Sequence, residues 1–450
     1  MNRTLSPDRE FYNKLLRLTL PIAFQSLMLA AVAACDALML GRVSQNAMAA
    51  VSLATQVQFV QNMLLGAVTG TVAILGAQYW GKGDESAIHK LFWISLKLAG
   101  AVSLLFCAGC FFVPQYLMRL FAHDPALVEI GAGYLRIAGW SYLITGVSQI
   151  YLAVMKVTDH APRSAWISSG AVALNIALNA VFIFGLGPVP AMEANGAALA
   201  TLCARIIELI WAVGSTFQKG FFRPVFSQAF AKDPLLNKDY RRIALPLLGS
   251  YVFWGVGFTS YTAIMGHIGP DAAAANSVAS VVRDLVCCAC NGIGTAAAIM
   301  VGNELGAGNL ERGKAYGLKL KTISFVIGFA STALVLAVTP LLLHFVILTS
   351  AARKYLTGMM IIMAFYMIGR CVNTVTINGV LDGGGDTVFD LYSLAVCMWG
   401  IAIPLALLGA FVFRWPVLLV YSCTCLDEVG KIPWVMAHYR KYKWVRDLTR

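Results

Sequence analysis

Charged residues are scarce in this chain, and their scarcity excludes a soluble globular protein. Asp, Glu, Lys and Arg together make up 12% of the 450 residues, whereas hydrophobic residues make up 59%. Soluble domains average about 25% charged and about 45–50% apolar residues. With a mean hydropathy of +0.72, the composition is that of a membrane protein and leaves no room for a sizeable soluble domain.

Enzyme motifs are missing as well. Because there is no Walker lysine motif, ATP hydrolysis is excluded as the energy source. The triple glycine 383–385 is flanked by Asp382 and Asp386, whose charges repel phosphate, so it indicates a tight turn or a hinge. The histidines show no metal-ligand spacing; they are His89, His123, His160, His267, His344 and His438. We therefore predict a protein that is not an enzyme and has no resident cofactor.

The eleven cysteines lie in or beside apolar segments, which is typical of free thiols and not of a secreted disulfide framework. Cys287, Cys288 and Cys290 could be metal ligands, but small apolar side chains within a helix are the better interpretation. The first apolar run is too long for the core of a cleavable signal peptide.

Apolar stretches long enough to cross a bilayer, about 20 residues each, recur along the sequence. They predict an all-α polytopic membrane protein with twelve transmembrane helices. The predicted spans are 15–41, 46–77, 90–113, 127–155, 164–187, 194–218, 242–267, 272–304, 317–346, 355–381, 388–413 and 415–438.

The two halves of the sequence repeat each other at an offset of 225 residues. Identities fall at Pro21 and Pro246, at Gly41 and Gly266, and at Gly81-x-Gly83 and Gly306-x-Gly308. Six spans precede a polar connection and six follow it, so the halves have the same orientation and would be related by a pseudo-two-fold axis along the membrane normal. We predict an N-terminal six-helix lobe (1–218), a cytoplasmic linker (219–241) and a C-terminal six-helix lobe with a basic tail (242–450), with a substrate cavity between the lobes.

The formal net charge of +12 indicates topology and not nucleic-acid binding. Most loop lysines and arginines fall on one side of the predicted spans. By the positive-inside rule that side, with both termini, is cytoplasmic, and the chain is predicted to lie in the inner (plasma) membrane. The other side carries only Arg42, Arg119, Arg353, Lys354 and Arg414.

Several motifs resemble one transporter family over essentially the whole chain. Asp36-x-x-Met39-Leu40-Gly41 and the stretch 77–84 (AQYWGKGD) resemble the first two helices of multidrug and toxic compound extrusion (MATE) transporters. GNELGAGN at 302–309 is similar to the equivalent region of the second lobe, and GVLDGGGDT at 379–387 to the loop after the tenth helix. The resemblance implies a monomeric antiporter in membrane lipid, exporting small cationic or aromatic molecules in exchange for H⁺ or Na⁺.

Asp36 is the sharpest candidate site residue because it has apolar or small neighbours for a full turn on both sides. An ionised carboxylate there costs several kcal/mol unless it is paired, solvated or protonated. Such a group can exchange a proton for a metal ion or a cationic substrate. The alternative is that Asp36 lies near a helix end and is merely hydrated, since Gly41 and Arg42 follow closely.

Asn175 and Asn179 are spaced to lie on one face of a helix. Their amide oxygens and the Asp36 carboxylate are hard ligands suited to Na⁺, but hydrogen bonding between helices is an equally good interpretation. The resemblance implies a first-lobe cation site at Asp36, Asn175, Asn179 and Thr201. Some family members have an aspartate where Asn179 stands, so a relay between two carboxylates is put in doubt.

The second lobe departs from the family pattern. Where some members have an acid on the seventh helix, this chain has Tyr251 and Trp254, and Arg370 stands where a tenth-helix aspartate is expected. Adjacent residues on a helix do not face each other, so Arg283 is predicted to pair with another acid and Asp284 with Arg370. A structural network and a substrate contact both remain open. The candidates for the substrate cavity are Gln25, Tyr251, Trp254, Arg283, Asp284 and Arg370.

The hypothesis from sequence is a cation-coupled antiporter that works by alternating access, with coupling in the first lobe. The alternative is a flippase for a lipid-linked saccharide precursor on a related fold. A flippase would need a strongly cationic cavity for a diphosphate, and only Arg283 and Arg370 are obvious candidates. A channel is disfavoured because no filter-like polar loop recurs.

Overall fold

Every regular element of the described chain is helical. The computed structural model describes residues 7–122, 124–185, 190–231, 233–346 and 348–449. His123 and the predicted end of the fifth span at residue 187 lie outside these ranges. Within them, eleven helices are long and apolar enough to cross a membrane. The predicted all-α polytopic fold is confirmed.

Within the described residues the first half contains seven α-helices, and the second half contains nine α-helices, several of them short. The first seven are α1 (Pro7–Val43), α2 (Gln45–Lys82), α3 (Glu85–Phe112), α4 (Pro114–Arg119), α5 (Pro125–Val157), α6 (Ala161–Phe184) and α7 (Glu193–Ser215). The others are α8 (Pro234–Ile268), α9 (Pro270–Gly306), α10 (Leu310–Phe345), α11 (Ser350–Asn373), α12 (Thr387–Leu394), α13 (Ile403–Leu407), α14 (Val417–Thr424), α15 (Leu426–Val429) and α16 (Ile432–Tyr439).

Local sequence signals set several helix ends. The Asp84 side chain accepts a hydrogen bond from the Ala87 amide at the start of α3 (3.0 Å), and Asp124 accepts one from the Ala126 amide at the start of α5 (2.9 Å). These bonds satisfy amide groups that have no partner inside the helix. Gly185 ends α6 in the left-handed conformation that glycine adopts without strain.

The last predicted span is not one continuous helix. The segment 415–438 forms the three short helices α14, α15 and α16 instead. The breaks fall at Cys425 and at Gly430–Lys431, beside charged side chains, and the second break lies two to three residues before Pro433. Glycine and proline weaken a helix, and buried charges favour local breaks that let them find partners.

Parts of the tenth and eleventh membrane segments are wound as π-helix. One π-helix continues α11 over Thr374–Leu381, and two others flank α13 at Ala395–Ala402 and Leu408–Val412. π-Helical turns are rare in proteins and occur often at functional sites. They mark this half of the chain as locally unusual.

The chain divides into two compact units that do not coincide with the two halves of the sequence. One unit contains 24–76 and 84–240, and the other contains 1–23, 77–83 and 241–450. The beginning of α1 and the end of α2 therefore pack with the second half of the sequence. We call these the first-half unit and the second-half unit.

The repeat explains a reciprocal contact inside the second-half unit. A Cβ on Gly81 would overlap the Asn303 carbonyl oxygen, and a Cβ on Gly306 would overlap the Gln78 carbonyl oxygen. These four positions are related by the repeat offset, so the ends of α2 and α9 cross through equivalent residues. Only glycine permits so close an approach of two backbones.

The glycine motif has a second function in the turns that follow these helices. Gly83 has φ +79° and Gly308 has φ +77°. Both values lie in the left-handed region that other residues rarely adopt. The repeated Gly-x-Gly thus encodes one close crossing and one turn in each half.

The C-terminal segment packs against the Gly383–Gly385 turn and the end of α2. The Gln78 amide donates to the Gly383 carbonyl (2.9 Å), and its Oε1 accepts from the Leu448 backbone amide (2.7 Å). Trp444 is fully buried in the same region. The triple glycine is therefore a tight turn held by side-chain contacts.

The linker between the halves is bound along α3 in the first-half unit. Trp93 Nε1 donates to the Val225 carbonyl (2.9 Å), and Lys90 forms an ion pair with Asp233 (3.0 Å). Helix α8 begins at Pro234, inside the predicted linker, and Lys232 lies outside the described residues. The Leu236 backbone amide and Lys90 lower the pKa of Asp233 below its ordinary value.

We predict that Gly81→Ala and Gly306→Ala each destabilise the protein by about 1–3 kcal/mol, the usual cost of overpacking. Thermal unfolding of the detergent-solubilised protein measures the effect. Gly100→Ala and Gly214→Ala are matched controls, because both glycines are helical and a Cβ there meets no atom within 4 Å. Unfolding of the Gly81 and Gly306 variants at the wild-type temperature would contradict the reciprocal crossing.

Candidate functional site

Asp36 lies in the last third of α1, and its carboxylate bonds directly to α6. Asn179 Nδ2 donates a hydrogen bond to Asp36 Oδ1 at 2.5 Å. The Asp36 side chain is half-buried, and the buried Tyr134 of α5 is an electrostatic neighbour. The acid is therefore held between helices and is not simply hydrated at a helix end.

The other predicted first-lobe residues continue from Asp36 as a chain of hydrogen bonds. Asn179 Nδ2 also reaches Asn175 Oδ1 (3.3 Å), and Asn175 Nδ2 donates to Thr201 Oγ1 (3.2 Å). Thr201 donates in turn to the Ala197 carbonyl (3.0 Å). The structure thus brings Asp36, Asn175, Asn179 and Thr201 together; their role in coupling stays a prediction.

One polar atom in this series of hydrogen bonds lacks a partner. Asn179 is fully buried, and its Oδ1 has no hydrogen-bond partner in the part of the chain that the structure describes. A buried acceptor without a partner costs about 1–3 kcal/mol. Together with the Asp36 carboxylate it supplies hard oxygen atoms, the chemistry that Na⁺ and water prefer.

Gln25 lies three helical turns before Asp36 on α1, and hence on a similar face. Its side chain is buried, and Oε1 has no partner within the described residues. Gln25 therefore supplies a second unpaired amide oxygen, on the same helix as Asp36.

In the second-half unit, Arg370 and Trp254 are brought together. The Arg370 guanidinium lies 6.0 Å from the centre of the Trp254 ring, and Trp254 stacks on Phe258. Tyr251, one turn earlier on α8, is partly exposed. The structure does not bring Asp284 to this group.

The predicted pairing of Arg283 and Asp284 with separate partners is wrong. Arg283 Nη2 contacts the Asp284 carboxylate at 2.9 Å and lies over the Phe258 ring at 4.1 Å. Arg370 pairs with Glu428 instead, at 2.8 Å. The physical reason is that the long arginine side chain can fold back along its own helix, and that the Asp284 side chain is 63% exposed. Arg205 likewise pairs within its own helix, with Glu208 on α7.

The partners of Arg370 are functional candidates that were not among the site residues predicted from the sequence. Glu428 accepts from Arg370, from Lys431 (3.2 Å) and from Asn373 Nδ2 (2.7 Å). The sequence did contain a signal for this group: Asp427, Glu428 and Lys431 are three charged residues within five positions of a predicted span. Such a density of charge is not expected in a helix that faces lipid.

A small cavity adjoins this network. Its volume is about 30 Å³, and its lining includes the hydroxyl-bearing side chains Tyr261, Tyr366, Tyr421 and Thr424 together with Arg283. A polar cavity of this size holds water.

Comparison with known proteins identifies the family. The MatE family model matches twice, at residues 21–181 and 246–408, and the two matches start at the same offset as the internal repeat. An uncharacterized transporter, YisQ, of Bacillus subtilis is 24% identical over 405 residues, covering 89% of this chain and 88% of that protein. A probable multidrug resistance protein, NorM, of Bradyrhizobium diazoefficiens is 28% identical over 404 residues, covering 88% and 86%.

Solved structures share the fold. A MOP superfamily transporter from Pyrococcus furiosus has a TM-score of 0.86 at 18% identity, with 96% of each chain covered. An outward-facing structure of a multidrug resistance MATE family transporter also has a TM-score of 0.86, at 17% identity and the same coverage. As predicted, the protein is a transporter and not an enzyme. With the family model matched over most of its length, the chain belongs to the MatE family of multi-pass membrane transporters.

Proposed function

We propose that the protein is a secondary active antiporter that exports cationic or amphipathic drugs or toxic metabolites in exchange for H⁺ or Na⁺. The observation that carries the proposal is the Asp36 carboxylate at membrane depth, hydrogen-bonded to Asn179. The names of the NorM relatives, which describe multidrug resistance, support the substrate class. The location proposed is the inner (plasma) membrane with both termini cytoplasmic, and the functional form proposed is a monomer.

The Asp36 site supports coupling through competition for one negative charge. A proton would neutralise the carboxylate, and Na⁺ would take the Asp36 oxygens together with the unpaired Asn179 Oδ1. Either event removes an attraction for a cationic substrate. If the coupling ion and the substrate favour different states of the transporter, their exchange drives alternating access.

The flippase alternative is weakened by the ion pairs of the second-half unit. Arg283 is neutralised by Asp284, and Arg370 by Glu428. A cavity that holds a diphosphate needs cations whose charge is not already compensated. Both of the arginines on which that alternative depended are therefore engaged elsewhere.

Asp36→Asn is predicted to abolish active efflux, because the amide cannot release a proton or attract a cation. The measurement is efflux of a cationic dye from cells or inverted vesicles under separate proton and sodium gradients. The gradient that drives the wild-type protein identifies the coupling ion. Asp124→Asn is the matched control, because asparagine replaces aspartate well at the start of α5.

Two outcomes of this assay would contradict the proposal. Wild-type efflux by the Asp36 variant would remove coupling from the first-half unit. If the wild-type protein moves no dye under either gradient, the flippase alternative gains support.

Asn179→Ala is predicted to weaken the coupling ion's apparent affinity about tenfold, corresponding to about 1.4 kcal/mol for a lost polar contact. Thr201→Val, which keeps the side-chain shape, should change it much less, because Thr201 is two hydrogen bonds further from Asp36. Efflux rate measured against ion concentration checks both variants. Equal effects of the two substitutions would mean that the amide chain is only structural.

A further inference from the structure

A group of buried charged residues in the second-half unit has no role in the site at Asp36. We call it the acid cluster. Its members, each at most 7% exposed apart from the half-buried Arg370, are Asp382, Asp390, Asp427, Glu428, Lys431 and Arg370. The cluster contains four acids and two bases.

One of the four acids, Glu428, is bonded to both bases. It accepts from Arg370 and Lys431 and also from the Asn373 amide. Asp390 forms no ion pair within the described residues, and Lys431 and Arg370 act on it only through their field. The ionised carboxylate of Glu428 is therefore compensated.

Asp427 and Asp382 have no base bonded to them. Asp427 Oδ1 and Asp382 Oδ1 are buried and have no hydrogen-bond partner among the described residues. The charges that act most strongly on Asp382 are the carboxylates of Asp390 and Asp386. Asn373 Oδ1, on the amide that contacts Glu428, is also buried without a partner.

With all four acids ionised, the cluster would carry two uncompensated negative charges in a region without water on most sides. An unpaired buried carboxylate costs several kcal/mol and takes up a proton instead. We propose that Asp427 and Asp382 each hold a proton, at positions in the second-half unit that are separate from Asp36. Glu428 stays ionised.

Both ends of the acid cluster have contact with groups that can pass protons. Tyr261 faces Asp427 and also lines the water-sized cavity. At the other end Asp386, a neighbour of Asp382, pairs with His438 at 2.7 Å. Asp390 and Glu428 are electrostatic neighbours of these two acids.

The backbone around the acid cluster supports a functional site. The helix break between α15 and α16 places Asp427, Glu428 and Lys431 together, and the π-helix Thr374–Leu381 separates Asn373 from Asp382. Discontinuous and π-helical segments within membranes are typical of ion sites.

Protonation here depends on every ionisable neighbour, from all elements packed against the two acids. Besides the cluster members these are Tyr251 and Tyr261 of α8, Tyr366 of α11, Asp386 with its partner His438, Cys397, Cys425 and Arg446. Arg446 adds a positive charge, but it donates to the Gly384 and Gly385 carbonyls and not to Asp382. Burial and the neighbouring carboxylates raise the pKa of Asp382, which directly follows the π-helix Thr374–Leu381, well above its ordinary value. The folded protein therefore holds this proton where the unfolded chain has released it, and its stability falls as the pH rises above the ordinary aspartate range.

The inference does not require that Asp36 is the coupling residue. Coupling of the acid cluster to export does rest on the proposed function, but proton occupancy can be measured without transport. A failure of dye efflux and a failure of proton binding are therefore distinguishable.

The test is infrared spectroscopy of the full-length protein in lipid nanodiscs at neutral pH, in sodium-free buffer. A protonated carboxylic acid has a carbonyl-stretching band that a carboxylate lacks. Asp427→Asn and Asp382→Asn are each expected to remove one component of that band and to leave the unfolding temperature near the wild-type value. Any contribution from Asp36 is the same in all these proteins and cancels in the difference spectra.

Asp124→Asn is the matched control. It replaces an exposed acid at the start of α5, outside the acid cluster, so it should leave the band intact. Tyr261→Phe is a second probe that keeps both acids, and it should shift the Asp427 component without removing it.

Three results would overturn the proposal. The first is a band unchanged in the Asp427 and Asp382 variants and unshifted in Tyr261→Phe. The second is loss of the same band component in the Asp124→Asn control. The third is loss of the band on adding sodium at constant pH, which would make the acid cluster a sodium site.

Discussion

The structure depends on one constraint, which is that polar groups at membrane depth must find their partners within the protein. Asp36 finds Asn179, Arg370 finds Glu428, and the Gln78 amide bonds to backbone groups. Each of these bonds joins residues far apart in sequence. Where hydrogen-bond partners are missing among the described residues, as at Asn179 Oδ1, Asp382 and Asp427, an ion or a proton can take their place.

The two units meet this constraint in different ways. The candidate site of the first-half unit has one acid, Asp36, in contact with a neutral amide, so the charge of the site can change with one ion. The second-half unit surrounds its acids with two bases, so part of its charge is fixed and part is free to titrate. The helix breaks and π-helices lie in the second-half unit, beside the acid cluster. They are absent from the described parts of α1, α6 and α7, which carry the Asp36 site.

Sequence alone predicted the fold and one of the two polar groups. The eleven long helices follow from apolar runs, and the repeated Gly-x-Gly indicated the internal repeat. Its close crossing and positive φ values came only from the structure. Asp36, Asn175, Asn179 and Thr201 were found because one acid in an apolar run stands out and because a family resemblance supplied its partners. The pairing of Arg283 with Asp284 was missed because helical spacing describes Cβ positions, whereas an arginine guanidinium reaches several ångströms beyond its Cβ. The break at 425–431 was missed because hydropathy averages over a window and hides three charges in it.

The bonds of Gln78 constrain the order in which the protein can fold. Its partners, Gly383 and Leu448, lie 305 and 370 residues further along the chain. The last turn of α2 is therefore synthesised long before the groups that complete it exist. During synthesis the Gln78 side chain and the bare glycine surface beside it must stay accessible to water or to an insertion factor, so the second-half unit closes only when nearly all of its chain has been made.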